Sequence, residues 1–202
     1  MSYAMPLPRI APPLPRTIRL AQGGDDPARE ELAVYCRKIA YIFALQGCGD
    51  RHEAHDLAQD AVLRFFAALD RFHTDRPVKP WLLTITRNLI RDRARRQRTR
   101  RIEAFSLADI VVEPSDPEPG PEAIAALHQM QQLLWRSMQE LSASDREIVT
   151  LREYLDLSYE DIANALGVPR GTVMSRLHRA RRRLGAIMTH RKQASEGEVH
   201  DA

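Results

Sequence analysis

Apolar residues recur every three or four positions along two long stretches of the chain, the spacing of helices that bury one face. Leu32, Tyr35, Ile39, Ile42 and Phe43 form the first such stripe. No stretch alternates with a period of two, so the pattern predicts no strand. We therefore expect an all-α fold with two small helical domains joined by a flexible acidic linker, the C-terminal one a helix-turn-helix.

The first stretch predicts three helices. Asp26 can cap the first, with Pro27 at a favoured starting position, and Asp50 followed by Glu53 resembles a capping box for the second. The third begins near Trp81. The buried stripes expected for the second and third helices are Leu57, Ala61, Val62, Phe65, Phe66 and Leu69, then Trp81, Leu82, Ile85 and Leu89.

Prolines and glycines divide the chain into segments. Residues 1–26 are rich in proline and predict a flexible arm, and residues 102–121, with four prolines and several acids, predict an extended acidic linker. The folded parts between and after them are 27–101 and 122–188. Residues 189–202 remain as a tail.

The last folded part carries a helix-turn-helix pattern. Ser144 and Ser158 each open a helix with a capping box or a close variant of one. Gly167 can end the second of these helices in the left-handed conformation, and Pro169 starts the next. The final helix is expected to bury Val173, Leu177, Ala180 and Leu184 and to expose Thr172, Ser175, Arg176, His178, Arg179 and Arg182.

Charge is distributed unevenly along the 202 residues, although the net charge is only +3. Residues 87–101 hold eight arginines and one aspartate, and residues 170–192 hold eight basic residues and no acid. Two cationic blocks on an otherwise acidic chain are typical of nucleic-acid binding. The alternative is that each block is simply a solvent-exposed helix face without a ligand. That explanation is less convincing for two such blocks than for one.

Two polar helix faces are candidate interaction surfaces. On the second helix, Leu63 lies outward among acids, which suits a docking surface, although single exposed leucines are common. On the third, arginines and an asparagine lie opposite the buried stripe. Arginine can bind phosphate or stack on a base, and asparagine can bind a base edge. This face carries Thr84, Arg87, Asn88, Arg91, Arg95 and Arg98.

Other function classes find little support. The longest apolar run has seven residues, against about 20 for a membrane span, so no membrane insertion is expected. Two cysteines build no disulfide framework, which favours a reducing, cytoplasmic location. No phosphate-binding glycine loop, nucleophile elbow or metal-protease histidine pair is present, so we expect no enzyme and no cofactor. A cluster of Cys36, Cys48, His52 and His55 leaves a metal or redox role open.

Three motifs in order resemble bacterial extracytoplasmic-function (ECF) sigma factors of the sigma-70 family. Leu157–Leu184 resembles their fourth domain, which is a helix-turn-helix. Asp56–Asp60, with the sequence DLAQD, resembles the helix that docks on the clamp of core RNA polymerase. Trp81–Asp92 resembles the helix that engages the minus-ten promoter element. The resemblance extends over about residues 28–188, and the three motifs together are highly specific.

The resemblance implies a role for each surface. Asp56, Gln59, Asp60 and Leu63 would bind polymerase. Residues 71–80 and the helix bearing Arg87, Asn88, Arg91 and Arg95 would open and hold the minus-ten element. Arg170, Thr172, Ser175, Arg176 and Arg179 would read the minus-thirty-five element. Trp81 could stack on an unpaired base, but a place in the core suits it better.

The same resemblance implies the partners. These are core RNA polymerase, promoter DNA and an anti-sigma factor, with a monomer expected for the free protein, and the function is to start transcription of a stress- or signal-responsive gene set. His55 and Ser142 depart from the family pattern, where an acid and a proline are usual. The acidic linker would run near the active site and the RNA exit path. We hypothesise that it also repels non-specific DNA.

Two alternatives remain at this point. A regulator that binds DNA without polymerase would use the same helix-turn-helix, usually as a symmetric dimer on two half-sites. An enzyme would need a catalytic cluster, for which the cysteine and histidine cluster is the nearest candidate.

Overall fold

The computed structural model describes residues 11–97 and 121–198. Within these ranges every regular element is helical, which confirms the all-α prediction. The predicted linker lies outside the described residues except for Pro121, and so do the last arginines of the first basic block. No helix in the described ranges is long and apolar enough to cross a membrane.

The N-terminal domain consists of four helices and a short turn. Helix α1 spans Pro15–Gln22, α2 Asp26–Cys48, α3 Arg51–Ala67 and α4 Val78–Gln97, and a 3-10 turn covers Leu69–Arg71. Helices α2, α3 and α4 are the three predicted ones, and their apolar stripes are buried or half-buried. Packing of these stripes against one another forms the core of the domain.

Helix α1 corrects the prediction of a flexible arm over residues 1–26. Ile18 and Ala21 are three residues apart on one face and are both buried. Pro15 lies in the first turn, where its missing N–H removes no helical hydrogen bond. Gln22 donates from Nε2 to the carbonyl oxygens of Leu69 at 2.9 Å and Phe72 at 2.8 Å. Pro15 thus starts a docked helix.

The start of α2 lies one residue earlier than predicted. Asp25, not Asp26, is the cap, and its carboxylate accepts a hydrogen bond from the Ala28 N–H at 2.9 Å. Pro27 has no N–H to donate. The next residue, Ala28, does, and its N–H lies within reach of a carboxylate three residues earlier, which is that of Asp25. The predicted cap of α3 is confirmed, since Asp50 accepts from the Glu53 N–H at 2.7 Å.

Three aromatic rings connect the loop after α3 to the start of α4. The Trp81 ring lies 4.8 Å from Phe65 and 4.7 Å from Phe72 between centroids. Trp81 therefore packs with the core, the place that the sequence favours over a role in stacking on an unpaired base. The cluster anchors both ends of the 71–80 segment, because Phe72 is its second residue and Trp81 directly follows it.

The C-terminal domain contains α5 Pro121–Glu140, α6 Ala143–Val149, a π-helical segment Thr150–Tyr154, α7 Tyr159–Leu166 and α8 Arg170–Glu198. The predicted cap at Ser144 is wrong by two residues. Ser142 caps α6 and accepts from the Asp145 N–H at 3.2 Å, while Ser144 lies in the first turn. The prediction rested on Glu147, three residues after Ser144, which completes a capping-box pattern in the sequence.

Helix α8 also extends beyond its predicted end. Residues 189–198 continue the helix instead of forming a separate tail. Met188 is buried, and the Arg191 guanidinium pairs with the Glu140 carboxylate at the end of α5. These contacts hold α8 against α5 for two further turns past Leu184.

The two domains pack against each other in the structure. Helix α6 contacts α2, α7 contacts α4, and buried apolar residues of both domains form one continuous cluster. The sequence predicts two tethered domains but contains no signal for this contact. Each interdomain contact joins residues far apart in the chain, which no periodicity reports.

Both cysteines lie in the N-terminal domain. Cys36 is fully buried in α2, and Cys48 at its end is half-buried with Sγ 3.2 Å from the Asp50 carbonyl oxygen. Burial raises the pKa of the Cys36 thiol to about 12 and that of the Cys48 thiol to about 11. The His55 ring packs against the Tyr41 ring at a tilt of 33°, with centroids 4.4 Å apart. Among the described residues no group of three His, Cys, Asp or Glu side chains could hold a metal ion.

Replacing Gln22 by leucine should destabilise the N-terminal domain. The change keeps the side-chain size but leaves the Leu69 and Phe72 carbonyl oxygens without their donor, at a cost of about 1–3 kcal/mol. Urea unfolding followed by circular dichroism measures the loss. Gln132→Leu, the same change at an exposed position of α5, is the control. Equal stability of the two variants would show that α1 does not secure the turn.

The thiols should be nearly unreactive in the folded protein. At pH 8 a rise of the Cys48 pKa from 9.0 to about 11 lowers its thiolate fraction about 100-fold. Reaction with a disulfide reagent should therefore be at least that much slower in buffer than in urea. Because both folded pKa values are raised, stability should fall as pH rises above about 9. A fast-reacting thiol that Cys48→Ser removes would contradict this and reopen a redox role.

Candidate nucleic-acid and docking surfaces

A tight turn between α7 and α8 sets the geometry of the helix-turn-helix. Gly167 takes the left-handed conformation with φ 67°, and its N–H bonds to the Ala163 carbonyl oxygen, as predicted. The Ser158 cap of α7 is also confirmed, with its hydroxyl accepting from the Asp161 N–H at 3.0 Å. The apolar stripe Val173, Leu177, Ala180 and Leu184 is buried, so the opposite face of α8 is turned outward.

Four of the residues assigned to the minus-thirty-five element form one strip on α8. Thr172, Ser175, Arg176 and Arg179 follow the spacing i, i+3, i+4, i+7, which places them side by side on the helix surface. Thr172 is half-buried and the other three are exposed. Arg170 is also exposed but lies at the first residue of the helix, outside this strip.

Sequence reasoning missed one exposed residue beside the strip. Met174 follows Val173 on α8 and has 52% of its surface exposed. A methionine among arginines offers an apolar contact of the kind that suits a thymine methyl group. Its position next to Ser175 was visible in the sequence, but apolar residues were assigned to the core.

Several arginines of α8 are engaged within the domain. Arg181 pairs with Glu153 and Arg183 with Asp145, in addition to the pair of Arg191 with Glu140. The acids come from other helices, so counting charges within the block overstates how many arginines are available to DNA. Arg176 and Arg179 have no ion-pair partner among the described residues. The available positive charge is therefore concentrated on the strip and at its ends.

Helix α4 presents a second strip. Asn88, Arg91 and Arg95 are all exposed and share one face with Thr84. Arg93, outside this face, pairs with Glu53 of α3 at 3.1 Å. Arg87 is the exception among the four predicted residues of α4, since only 15% of its side chain is exposed and it contacts the C-terminal domain.

Helix α3 carries the candidate docking surface. Asp56, Gln59, Asp60 and Leu63 again follow the spacing i, i+3, i+4, i+7, and all four are exposed. Leu63 is 62% exposed, as the sequence predicts, while Leu57, Ala58, Ala61 and Phe65 on the other side of the helix are buried. A leucine surrounded by acceptors gives this strip both an apolar contact and negative charge.

Two family models match the chain. Residues 32–100 match the model described as Sigma-70 region 2, and residues 131–184 match the model described as Sigma-70, region 4. The first match contains the strips of α3 and α4, and the second contains α7 and the strip of α8. Helix α1 lies outside both matches.

Named relatives agree with these models. The chain is 34% identical over 158 residues to ECF RNA polymerase sigma factor SigE of Mycolicibacterium smegmatis, a match that spans 78% of this chain and 60% of that protein. It is 34% identical over 147 residues to SigL of Mycobacterium tuberculosis, spanning 72% and 80%. The match to SigW of Bacillus subtilis is 28% identical over 180 residues and spans 84% and 92%.

Solved structures resemble the fold. Sigma factor RpoE in complex with the anti-sigma factor NepR, from Bartonella quintana, gives a TM-score of 0.61 at 27% identity, covering 79% of this chain and 96% of that chain. CnrH in complex with the cytosolic domain of CnrY gives 0.60 at 25% identity, covering 87% and 97%. With regions 2 and 4 in order and relatives at 34% identity, the chain belongs to the extracytoplasmic-function RNA polymerase sigma factors of the sigma-70 family.

Proposed function

We propose that this chain binds core RNA polymerase in the cytoplasm, recognises the minus-ten and minus-thirty-five promoter elements, and starts transcription of a stress- or signal-responsive gene set. The observation that carries the proposal is the set of three polar strips on α3, α4 and α8, whose residues are exposed apart from the half-buried Thr172. Proteins of this family are initiation factors, not enzymes, in agreement with the missing catalytic motifs.

The strip on α8 suits a duplex. An α-helix fits the major groove, and the first turns of the second helix of a helix-turn-helix lie closest to the base edges. Ser175, Arg176 and Arg179 lie in these turns, with hydroxyl and guanidinium donors turned outward. Arg182, one turn further along the same face, is placed to bind phosphate. This supports reading of the minus-thirty-five element by the C-terminal domain.

The strip on α4 suits an opened element. Asn88 offers both donor and acceptor groups to a base edge, and Arg91 and Arg95 can bind phosphate or stack on unpaired bases. The 71–80 segment at the start of α4 supplies further cations, Arg71 and Arg76, both exposed. This supports engagement of the minus-ten element by α4 and the segment before it.

The strip on α3 suits a protein partner. Asp56 and Asp60 provide negative charge around Leu63, and neither carboxylate has an ion-pair partner among the described residues. Acids around one exposed leucine fit a partner surface with basic groups around an apolar pocket. We assign core polymerase to this strip. An anti-sigma factor is a further expected partner, supported by the complex of the neighbour RpoE with NepR.

Run-off transcription with purified core polymerase tests the function directly. The proposal expects promoter-specific transcripts only when this protein is added, and weak promoter binding by the free protein. If the free protein binds promoter DNA tightly as a symmetric dimer and polymerase does not need it, the chain acts as a regulator instead.

Reversing one charge on α3 should weaken polymerase binding. Asp60→Arg places a cation where the partner presents basic groups, and the Kd for core polymerase should rise roughly tenfold or more. Fluorescence anisotropy of the labelled protein with core polymerase gives this constant. Glu31→Arg, at another exposed acid of the N-terminal domain, should bind like the wild type. Wild-type affinity in the Asp60 variant would remove the assignment of α3.

Shortening one arginine on α8 separates base reading from phosphate binding. If Arg176 makes a bidentate base contact, Arg176→Ala should cost about 1–3 kcal/mol at one position of the minus-thirty-five element and relax its preference. Holoenzyme binding to promoters with single-base changes measures this. Arg136→Ala, at an exposed arginine of α5, serves as the control. A uniform loss on all promoters means that Arg176 binds phosphate.

A further inference from the structure

Helix α1 bonds through one side chain to the beginning of the segment assigned to the minus-ten element. Gln22, the last residue of α1, donates from Nε2 to the Leu69 carbonyl oxygen at 2.9 Å and to the Phe72 carbonyl oxygen at 2.8 Å. An amide nitrogen carries two hydrogens, so it can satisfy both oxygens at once. The Leu69 oxygen also accepts from the Phe72 N–H at 2.9 Å. Gln22 therefore holds the backbone on both sides of this turn.

Arg71 lies between the two carbonyl groups that Gln22 holds. Its side chain is exposed, and it is one of the cations that the segment offers to DNA. Because the backbone is held on both sides of Arg71, its guanidinium can move only by changing side-chain rotamer. The Phe72 ring is fixed as well, since it stacks on Trp81 with an angle of 19° between the ring planes. The start of the 71–80 segment is thus held by backbone and ring contacts together.

The rest of the segment also lies beside α1. Pro12, Pro15 and Ile18 line one cleft together with residues 74–80. Within the segment, the Arg76 N–H donates to the His73 carbonyl oxygen at 3.0 Å and forms a turn. Helix α1 therefore flanks the segment, while Gln22 bonds to its beginning.

Gln22 is itself attached to a well-bonded corner between α1 and α2. Arg29 of α2 donates from Nε to the Ala21 carbonyl oxygen at 2.9 Å, and the Asp25 N–H donates to the Leu20 carbonyl oxygen at 3.0 Å. Gly24 takes a left-handed conformation with φ 90°, which glycine adopts without strain. This corner joins Gln22 to α2, a core helix of 23 residues. The position of the amide is therefore set by the domain core.

We propose that Gln22 is a positioning residue for the minus-ten element: its amide sets the path of the 71–80 segment, and without its two hydrogen bonds the base preference at this element relaxes. Base reading needs polar groups held to within about 0.5 Å. A turn that can shift on both sides of Arg71 does not meet that requirement. The inference rests on the proposed function, and it extends that function to a helix outside both family matches.

The test uses three variants of the full chain. Gln22→Leu removes the polar amide at similar size, and Gln22→Glu keeps the shape but has no N–H donor when ionised at about pH 8. Ile39→Val is the matched control, because it shortens a fully buried side chain of α2 and lowers stability to a similar degree without removing any contact of Gln22. All proteins are compared at a temperature at which circular dichroism shows each of them fully folded.

The first readout is hydrogen exchange of the free protein, followed by mass spectrometry. Peptides from residues 69–80 should exchange at least about tenfold faster in both Gln22 variants than in Ile39→Val, because the turn opens locally once its anchor is lost. Peptides from α8 should exchange alike in all three variants. Equal exchange of residues 69–80 in the Gln22 variants and the control overturns the inference.

The second readout is open-complex formation by the holoenzyme on promoters that carry single-base changes. In both Gln22 variants the preference for the favoured bases of the minus-ten element should fall about tenfold, while preference at the minus-thirty-five element stays at the wild-type value. Ile39→Val should keep both preferences. A preference lost equally at both elements, or lost in Ile39→Val as well, reduces the effect to stability and overturns the positioning role. Wild-type preference in Gln22→Glu overturns it too.

The two readouts separate failure of this inference from failure of the proposed function. Hydrogen exchange needs neither DNA nor polymerase, so it decides whether Gln22 holds the segment even if the wild-type protein gives no promoter-specific transcript. Such a missing transcript removes the proposed function, and the role at the minus-ten element is lost with it. Faster exchange with unchanged base preference leaves the proposed function standing and overturns the positioning role alone.

Discussion

The need to bury one apolar stripe on each helix determines which residues form the outward strips of α3, α4 and α8. Val173, Leu177 and Leu184 turn one face of α8 inward, and as a consequence the residues at i, i+3, i+4 and i+7 from Thr172 face outward together. The same constraint acts on α3, where burial of Leu57 and Phe65 leaves Leu63 outside. The candidate surfaces are thus a direct result of the packing.

Charge pairing refines this arrangement. A strip on a helix can bind a polyanion only with those cations that the protein itself does not neutralise. Arg181, Arg183 and Arg93 are each paired to an acid of another helix, and these pairs lie beside the strips. Partly exposed pairs of this kind contribute little to stability. Their clearer effect is to confine the available positive charge to the faces that would meet DNA.

The sequence predicted the features that depend on neighbouring residues. The turn at Gly167, the caps at Asp50 and Ser158 and the buried stripes all follow from residues within one or two turns of each other. The errors at Asp25 and Ser142 arose where two capping residues stand close together. Helix α1 was missed because four prolines stand just before it and a fifth opens it, while its stability comes from burial of Ile18 and from Gln22 donating to Leu69 and Phe72, 47 and 50 residues away.

The interdomain contact illustrates the limit of local reasoning most clearly. Arg87 fits a DNA-binding residue by its type and position, and nothing near it in the chain indicates that Glu147, 60 residues later, accepts its hydrogen bond. DNA binding and pairing with Glu147 nevertheless depend on the same property of Arg87, because a guanidinium that binds a phosphate also binds a carboxylate. A cation whose chemistry suits DNA therefore also suits an internal anion. In this structure Arg87 is held by Glu147 and by the Ala165 carbonyl oxygen, and only 15% of its side chain is exposed.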